Sequence, residues 1–241
     1  MKLNFTGLSD PGLIRSNNQD AYYIDPEGRF FIVADGMGGH AGGEEASRIT
    51  TQEIEAYLSK NWNSPESDAK LLEQALWEAN KAIVQDQQNH VERADMGTTV
   101  VVVIFRSPDS SWCAHVGDSR LYRLRESQLE QVTEDHTWVA RAIKIGDITS
   151  DEARSHPFRH VLSSCLGRED LHRIDVQPLD IKAGDRLLLC SDGLTEELVD
   201  QKIANYLHEI PLLDKAAISL VEAAKKEGGH DNITVVIVAL E

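Results

Sequence analysis

The sequence predicts an α+β fold of stacked sheets flanked by helices, and three observations predict it. Short apolar runs without clean alternation recur at residues 30–34, 99–105, 112–116, 186–190 and 233–240, the mark of strands covered on both faces. Helical periodicity occurs in two consecutive pairs, one after the first of these runs and one before the last. The strands are grouped between the helix pairs rather than alternating with single helices, which argues for stacked sheets over a βαβ repeat.

Taken in order, Phe30-Phe31-Ile32-Val33-Ala34 is the first buried strand. Ala46, Ile49, Ile54, Tyr57 and Leu58 mark one face of a helix over 44–59, and Leu72, Ala75, Leu76, Ala79 and Ile83 one face of a second over 68–88. Strands over 99–105 and 112–116 follow, and then Leu121-Tyr122-Arg123-Leu124-Arg125, whose alternation predicts a half-exposed strand. Residues 136–173 mix short helical pieces with Gly146, Pro157 and Gly167, and read as an insertion over the rim of the sheets, where specificity elements sit. After the strand at 186–190, helices are expected over 200–208 and 213–226. Gly228-Gly229 closes the second, ahead of the last strand. No repeat, low-complexity tract or Pro/Gly/Ser linker divides the chain, so residues 1–241 read as a single domain.

A formal net charge of −16 would repel a nucleic-acid backbone or an anionic membrane face, and neither is expected as a partner. No run approaches the roughly 20 apolar residues of a membrane span, and the first residues lack the pattern of a secretory signal. Cys113, Cys165 and Cys190 are odd in number and scattered, which suits packing thiols in a reduced compartment. A cytoplasmic location is the expectation. A phosphorylated substrate would also be repelled by this charge unless bound cations reversed the local field.

Aspartates stand at the mouths of the apolar runs. Asp35 follows 30–34, Asp192 follows 186–191, Asp118 follows His115-Val116-Gly117, Asp20 precedes Ala21-Tyr22-Tyr23-Ile24, and Asp231 precedes 233–240. Singly, Asp35-Gly36 and Asp192-Gly193 are ordinary hairpin-turn dipeptides. Collected on one rim, these carboxylates would repel one another unless cations lay between them. Oxygen ligands select Mg²⁺ or Mn²⁺, whereas the chain lacks the Cys-x-x-Cys spacing of zinc sites and the loop of an EF-hand. Paired ions would lower the pKa of a shared water and neutralise the oxygens of a phosphate ester during in-line attack. Arg15 offers a planar fork for two phosphate oxygens, and from position alone reads equally as a surface arginine.

Six stretches now align in order: Arg15-Ser16-Asn17-Asn18-Gln19-Asp20, Val33-Ala34-Asp35-Gly36-Met37-Gly38-Gly39, Gly97-Thr98-Thr99, His115-Val116-Gly117-Asp118-Ser119-Arg120, Ser191-Asp192-Gly193-Leu194 and Gly229-His230-Asp231-Asn232-Ile233-Thr234. Together they resemble the motifs of the protein phosphatase 2C (PPM) family, bacterial type, over nearly the whole chain. The detailed sequence looks most like the cyanobacterial phosphatase that acts on the phosphorylated nitrogen-signalling protein PII. The resemblance implies a β-sandwich of two antiparallel sheets flanked on both sides by paired helices, a four-layer αββα arrangement with metals at one end. It implies a phosphatase acting on phosphoserine and phosphothreonine in proteins, with two core Mg²⁺ or Mn²⁺ ions and a third, weaker one; a monomer is the expectation, and the sequence leaves dimerisation open.

Carried over by position, Asp35 bridges two ions, Gly36 lends a backbone carbonyl, Asp192 and Asp231 complete the pair, and Asp118 shares the third ion with Asp192. Arg15 matches the phosphate-binding arginine, Asp20 the acid that orients water, and Asn232 braces Asp231. Met37 stands where many eukaryotic members carry a histidine that serves as general acid, and Gln19 where some carry an acid. His40 is a candidate for the acid or for a substrate contact, with a solvated loop histidine as the alternative. The insertion 136–173 corresponds to the variable flap, and Arg168 near its end is a candidate substrate contact or an exposed arginine.

Other phosphatase chemistries fail on local pattern. Six residues after the three cysteines stand Ser119, Leu171 and Glu196 rather than arginine, and no Asp-x-Asp-x-Thr strand end occurs. Two alternatives stay open: a catalytically silent phosphoprotein-binding homologue, and a hydrolase of small phosphate esters.

Overall fold

A computed structural model describes residues 2–39, 42–107, 110–154 and 156–241. The chain runs through β1 (Leu3–Asp10), β2 (Asp20–Ile24), β3 (Phe30–Met37), α1 (Gly42–Asn61), α2 (Asp68–Asn89), β4 (Gly97–Thr98), β5 (Val100–Ser107) and β6 (Ser110–Val116). It continues through β7 (Arg120–Arg125), β8 (Gln128–Gln131), α3 (Trp138–Lys144), α4 (Ser150–Arg154), β9 (Asp175–Pro178), β10 (Arg186–Cys190), α5 (Asp192–Thr195), α6 (Asp200–Glu209), α7 (Leu213–Glu227) and β11 (Ile233–Leu240). One sheet has the order β1-β11-β10-β7-β8 and the other β2-β3-β5-β6-β9, with β4 against β3, and the pairings are antiparallel.

The apolar runs do not alternate because both faces of each central strand are covered. Phe30 and Ile32 of β3 pack with Ile54, Leu72 and Leu76 of α1 and α2. Phe31 and Val33, pointing the other way, meet Leu187, Leu189, Val236 and Val238 of the opposite sheet. On the far side, Leu188 and Cys190 of β10 and Val235 and Ile237 of β11 lie under Ile203, Leu207, Leu220 and Ala224 of α6 and α7. Helices, sheet, sheet and helices therefore stack in four layers with three apolar seams. The N-terminus of α2 is capped by the Ser67 side chain, which accepts from Lys70 N–H.

The half-exposed reading of 121–125 is corrected. Leu121 faces the seam between the sheets, while Tyr122 and Leu124 are covered by α6, so all three are buried. Only the arginines give the alternation: Arg123 pairs with Glu130 and Asp180, and Arg125 with Asp180 and Asp185. Strand β1 was not anticipated, because the alternation of Leu3-Asn4-Phe5-Thr6 is short and stops at Gly7; it pairs along its whole length with β11.

Residues 136–173 carry α3 and α4, and the base of the segment is tied by Trp138 N–H to Val161 O and Ser163 N–H to His136 O, both 2.8 Å. All three cysteines are buried and unpaired with one another. Among the described residues no helix is long and apolar enough to cross a membrane.

Candidate active site

At one end of the seam between the sheets, the inward-facing rows change character. Two residues beyond Val33 on the same face of β3 is Asp35; two before Val101 is Thr99; two after Leu189 is Ser191; two and four before Val236 are Thr234 and Asn232. In β2, Asp20 pairs directly across from Asp35. The strand ends thus open on a cleft of about 580 Å³ lined by Arg15, Gln19, Asp35, Gly36, Asp118, Asp192 and Asp231 on one side. Residues from the flap segment, among them His160, Ser163, Arg168 and His172, line the other side.

The turn reading of the two Asp-Gly pairs does not hold. Asp35-Gly36 lies inside β3, and Asp192-Gly193 opens α5. Gly36 is required there by close approach: a Cβ would sit 1.9 Å from the Gly43 carbonyl oxygen at the start of α1.

Backbone and hydroxyl groups set the carboxylates. The Asp35 carbonyl accepts from Thr98 Oγ1 (2.8 Å) and Thr99 N–H (2.9 Å), while its own N–H donates to Thr99 Oγ1 (3.2 Å). Ser191 Oγ donates to Asp20 Oδ2 (2.7 Å) and accepts from Thr234 N–H (3.0 Å). Asn232 N–H donates to Asp231 Oδ1 (2.8 Å), and its side chain is held by Pro11 O, Asn17 O and Gln19 N–H at 2.8–3.0 Å. A guanidinium nitrogen of Arg15 lies 2.7 Å from Asp231 Oδ2, and about half of the Arg15 side chain is open to solvent.

The charges are in conflict. Burial, then the carboxylates of Asp20, Asp192 and Asp118, hold Asp35 well above the usual carboxylate range. Asp118 is raised in the same way by burial and then by Asp192 and Asp135, and Asp192 by burial and then by Asp231. Burial pushes Asp20 up to about 7 against the hydrogen bonds from Ser191 and Thr234. Asp20 Oδ1 and Asp192 Oδ1 are buried without a hydrogen-bond partner. Unpaired acceptors and mutually repelling oxygens fit hard divalent cations such as Mg²⁺ or Mn²⁺.

The aspartates surround the cleft floor rather than forming one tight knot. The described triads whose ligand atoms all lie within 4.8 Å of one another are His160-Asp192-Glu196 and His115-His136-Asp175. His160 Nδ1 is 2.6 Å from Glu196 Oε1, linking the flap to α5 and its C-terminal cap, and burial, then Asp192, raise Glu196 to about 7. Neither His160 nor Glu196 was singled out in the sequence, although Asp192 and Glu196 stand four apart at a helix start, a spacing that shares one face. Arg168, for which an exposed loop arginine is the safer reading from the sequence, lines the cleft, and Asn232 lies behind Asp231. His40 lies outside the described residues.

Residues 15–227 match the family model described as protein phosphatase 2C. The serine/threonine protein phosphatase PstP of Mycobacterium tuberculosis is 38% identical over 98% of this chain, which spans 44% of that protein, less than half its length. The protein phosphatase PhpP of Streptococcus pneumoniae is 35% identical, with 97% of this chain and 96% of that protein covered. A crystal structure of the catalytic domain of PstP in complex with two manganese ions superposes with a TM-score of 0.87 at 35% identity, covering 99% of each chain. With the motif order, the four layers and the carboxylate-lined cleft in place, these matches make the chain a member of the protein phosphatase 2C family.

Proposed function

We propose that this protein removes phosphate from phosphoserine and phosphothreonine in proteins. Its two core Mg²⁺ or Mn²⁺ ions would be held by Asp35, the Gly36 carbonyl, Asp192 and Asp231, and a third, weaker ion by Asp118 and Asp192. The observation that carries the reading is the convergence of Asp35, Asp118, Asp192 and Asp231 on one cleft with Arg15 at its mouth. A relative crystallised with two manganese ions supports the choice of cation. When bound, such ions neutralise phosphate oxygens and acidify water in their shell.

The chain's own residues supply position. Arg15 has one nitrogen on Asp231 and an exposed remainder, so its fork can take phosphate oxygens while staying anchored. Asp20, held by Ser191, keeps one oxygen free to orient a water, and Asn232 fixes the rotamer of Asp231. Arg168 reaches the substrate from the flap side, and His40 is the candidate proton donor to the leaving oxygen. The likeness of the detailed sequence to the phosphatase acting on PII makes phosphorylated PII the first protein substrate to try. We place the activity in the cytoplasm, carried by a monomer.

The test compares phosphate release from phosphoserine peptides, phosphorylated PII and an aryl phosphate, with Mn²⁺ and with chelator. Turnover of peptide in Mn²⁺ that vanishes in chelator is expected. Turnover surviving chelation overturns the metal reading, and an aryl ester hydrolysed better than any peptide points to small-ester chemistry. Tight phosphopeptide binding without phosphate release points to the silent homologue.

A further inference from the structure

The root of the flap and the turn that carries Asp118 meet at His136. Its N–H donates to the Gly117 carbonyl (2.9 Å), and the Gly117 N–H donates back to His136 Nδ1 (3.2 Å). Both polar groups of the residue before Asp118 are thereby clamped by one neighbour. The His136 carbonyl accepts from the N–H of Ser163 (2.8 Å), a residue of the cleft wall, and its Nε2 lies 3.5 Å from Asp175 Oδ2 at the start of β9. Gly117 has φ 102°, and a Cβ there would lie 2.6 Å from the Thr99 side chain, so no side chain of its own can hold this turn.

The hydrogen-bond partners assign the protons. An amide N–H only donates, so Nδ1 of His136 carries the lone pair, and the neutral ring keeps its proton on Nε2, toward Asp175. The same reasoning argues against a cation at the neighbouring triad of His115, His136 and Asp175. To bind one, His136 would have to give up either its last proton or its bond to Gly117. His115 spends its Nε2–H on the Glu134 carbonyl (2.8 Å) and packs its ring against His136, centroids 4.6 Å apart.

We propose that His136, oriented by Asp175, is a positioning residue that holds the Gly117-Asp118 turn in the shape that presents Asp118 to the cleft and ties that shape to the flap root. The inference rests on the reading of Asp118 as a ligand of the third, weaker ion. Loss of an orienting partner of a metal ligand costs about 10–100-fold in metal affinity.

The experiment is Mn²⁺ binding to the full chain, followed by calorimetry and by the electron paramagnetic resonance signal of free Mn²⁺, with a melting curve for each variant. His136→Ala is expected to weaken the third site by about tenfold while the two tight sites stay within about twofold. His136→Asn, whose amide oxygen stands at the position of Nδ1, is expected to restore the third site, and His136→Gln, whose oxygen lies one bond too far, is not. Added to Asp118→Ala, His136→Ala is expected to cause no further loss of binding. The proposal is overturned if His136→Ala binds all ions as the unmodified protein does, or if the Asn variant is as impaired as the Gln variant, the mark of a packing role alone. The Asn and Gln pair decides the matter even where the Ala variant does not fold. If the unmodified protein binds only two ions and Asp118→Ala changes nothing, the third-ion reading itself fails and takes this inference with it.

Discussion

In the middle of the seam between the sheets, Phe31 and Val33 of β3 meet Leu187 and Leu189 of β10 and Val236 of β11, all fully buried. Two residues farther along the same inward rows stand Asp35, Thr99, Ser191 and Thr234, with Asp20 and Asn232 beside them. The backbone geometry is continuous and the side chains are opposite in kind. The apolar stretch gains from excluding water, whereas the polar stretch keeps carboxylates desolvated and close together, an arrangement unfavourable to the folded chain alone. A rigid apolar seam is what allows that conflict to persist and to be aimed at a ligand.

That contrast can be broken at either end. The largest effect is expected at the polar end: Asp192→Ala removes a carboxylate shared between proposed ions. Turnover should fall about a thousandfold, equivalent to about 4 kcal/mol, with no loss of melting temperature in chelator. A variant that keeps its Mn²⁺ affinity and rate would show that Asp192 is not a ligand. Next comes the apolar stretch. Leu189→Ala should cost about 3 kcal/mol of stability in urea unfolding while the folded fraction keeps its rate and its Mn²⁺ affinity. A Leu189→Ala protein of unchanged stability would mean that the seam yields easily and cannot hold the carboxylates as argued.

The smallest effect, a shift of a few degrees in melting temperature, comes from proton linkage in chelator. Asp20 titrates near pH 7 in the fold against 3.8 for its ordinary value. Below about pH 4 it is protonated in both states and its contribution is fully present. As pH rises toward and through 7 the unfolded chain ionises more readily, and that stability is lost. The metal-free protein should therefore melt lower at pH 8 than at pH 5.5, and Mn²⁺ should restore it at pH 8. A metal-free melting temperature that climbs across that interval contradicts the assignment.

Much of the fold was legible because burial on both faces leaves a local trace. Residues 30–34, 187–190 and 235–240 are apolar without a break, and the structure places them on interior strands of the two sheets. The same trace located the acids, since a carboxylate at the end of such a run stands out. It failed where covering is uneven. Tyr122 and Leu124 read as half-exposed beside Arg123 and Arg125, whose charges are met by Asp180 and Asp185 from a distant loop.

What the amino-acid sequence alone determined was the apolar strands of the two sheets, the two helix pairs, the residues at their ends and, through six motifs, the family. Only the tertiary structure decided which of those ends meet. Asp20 opposite Asp35, Arg15 on Asp231, His160 on Glu196 and His136 on Gly117 join residues far apart in the chain or on separate elements, or bring a flap residue onto a strand end. The physical reason is that periodicity records which face of one element is buried, while these contacts depend on how separate elements pack, and packing leaves no period in the sequence.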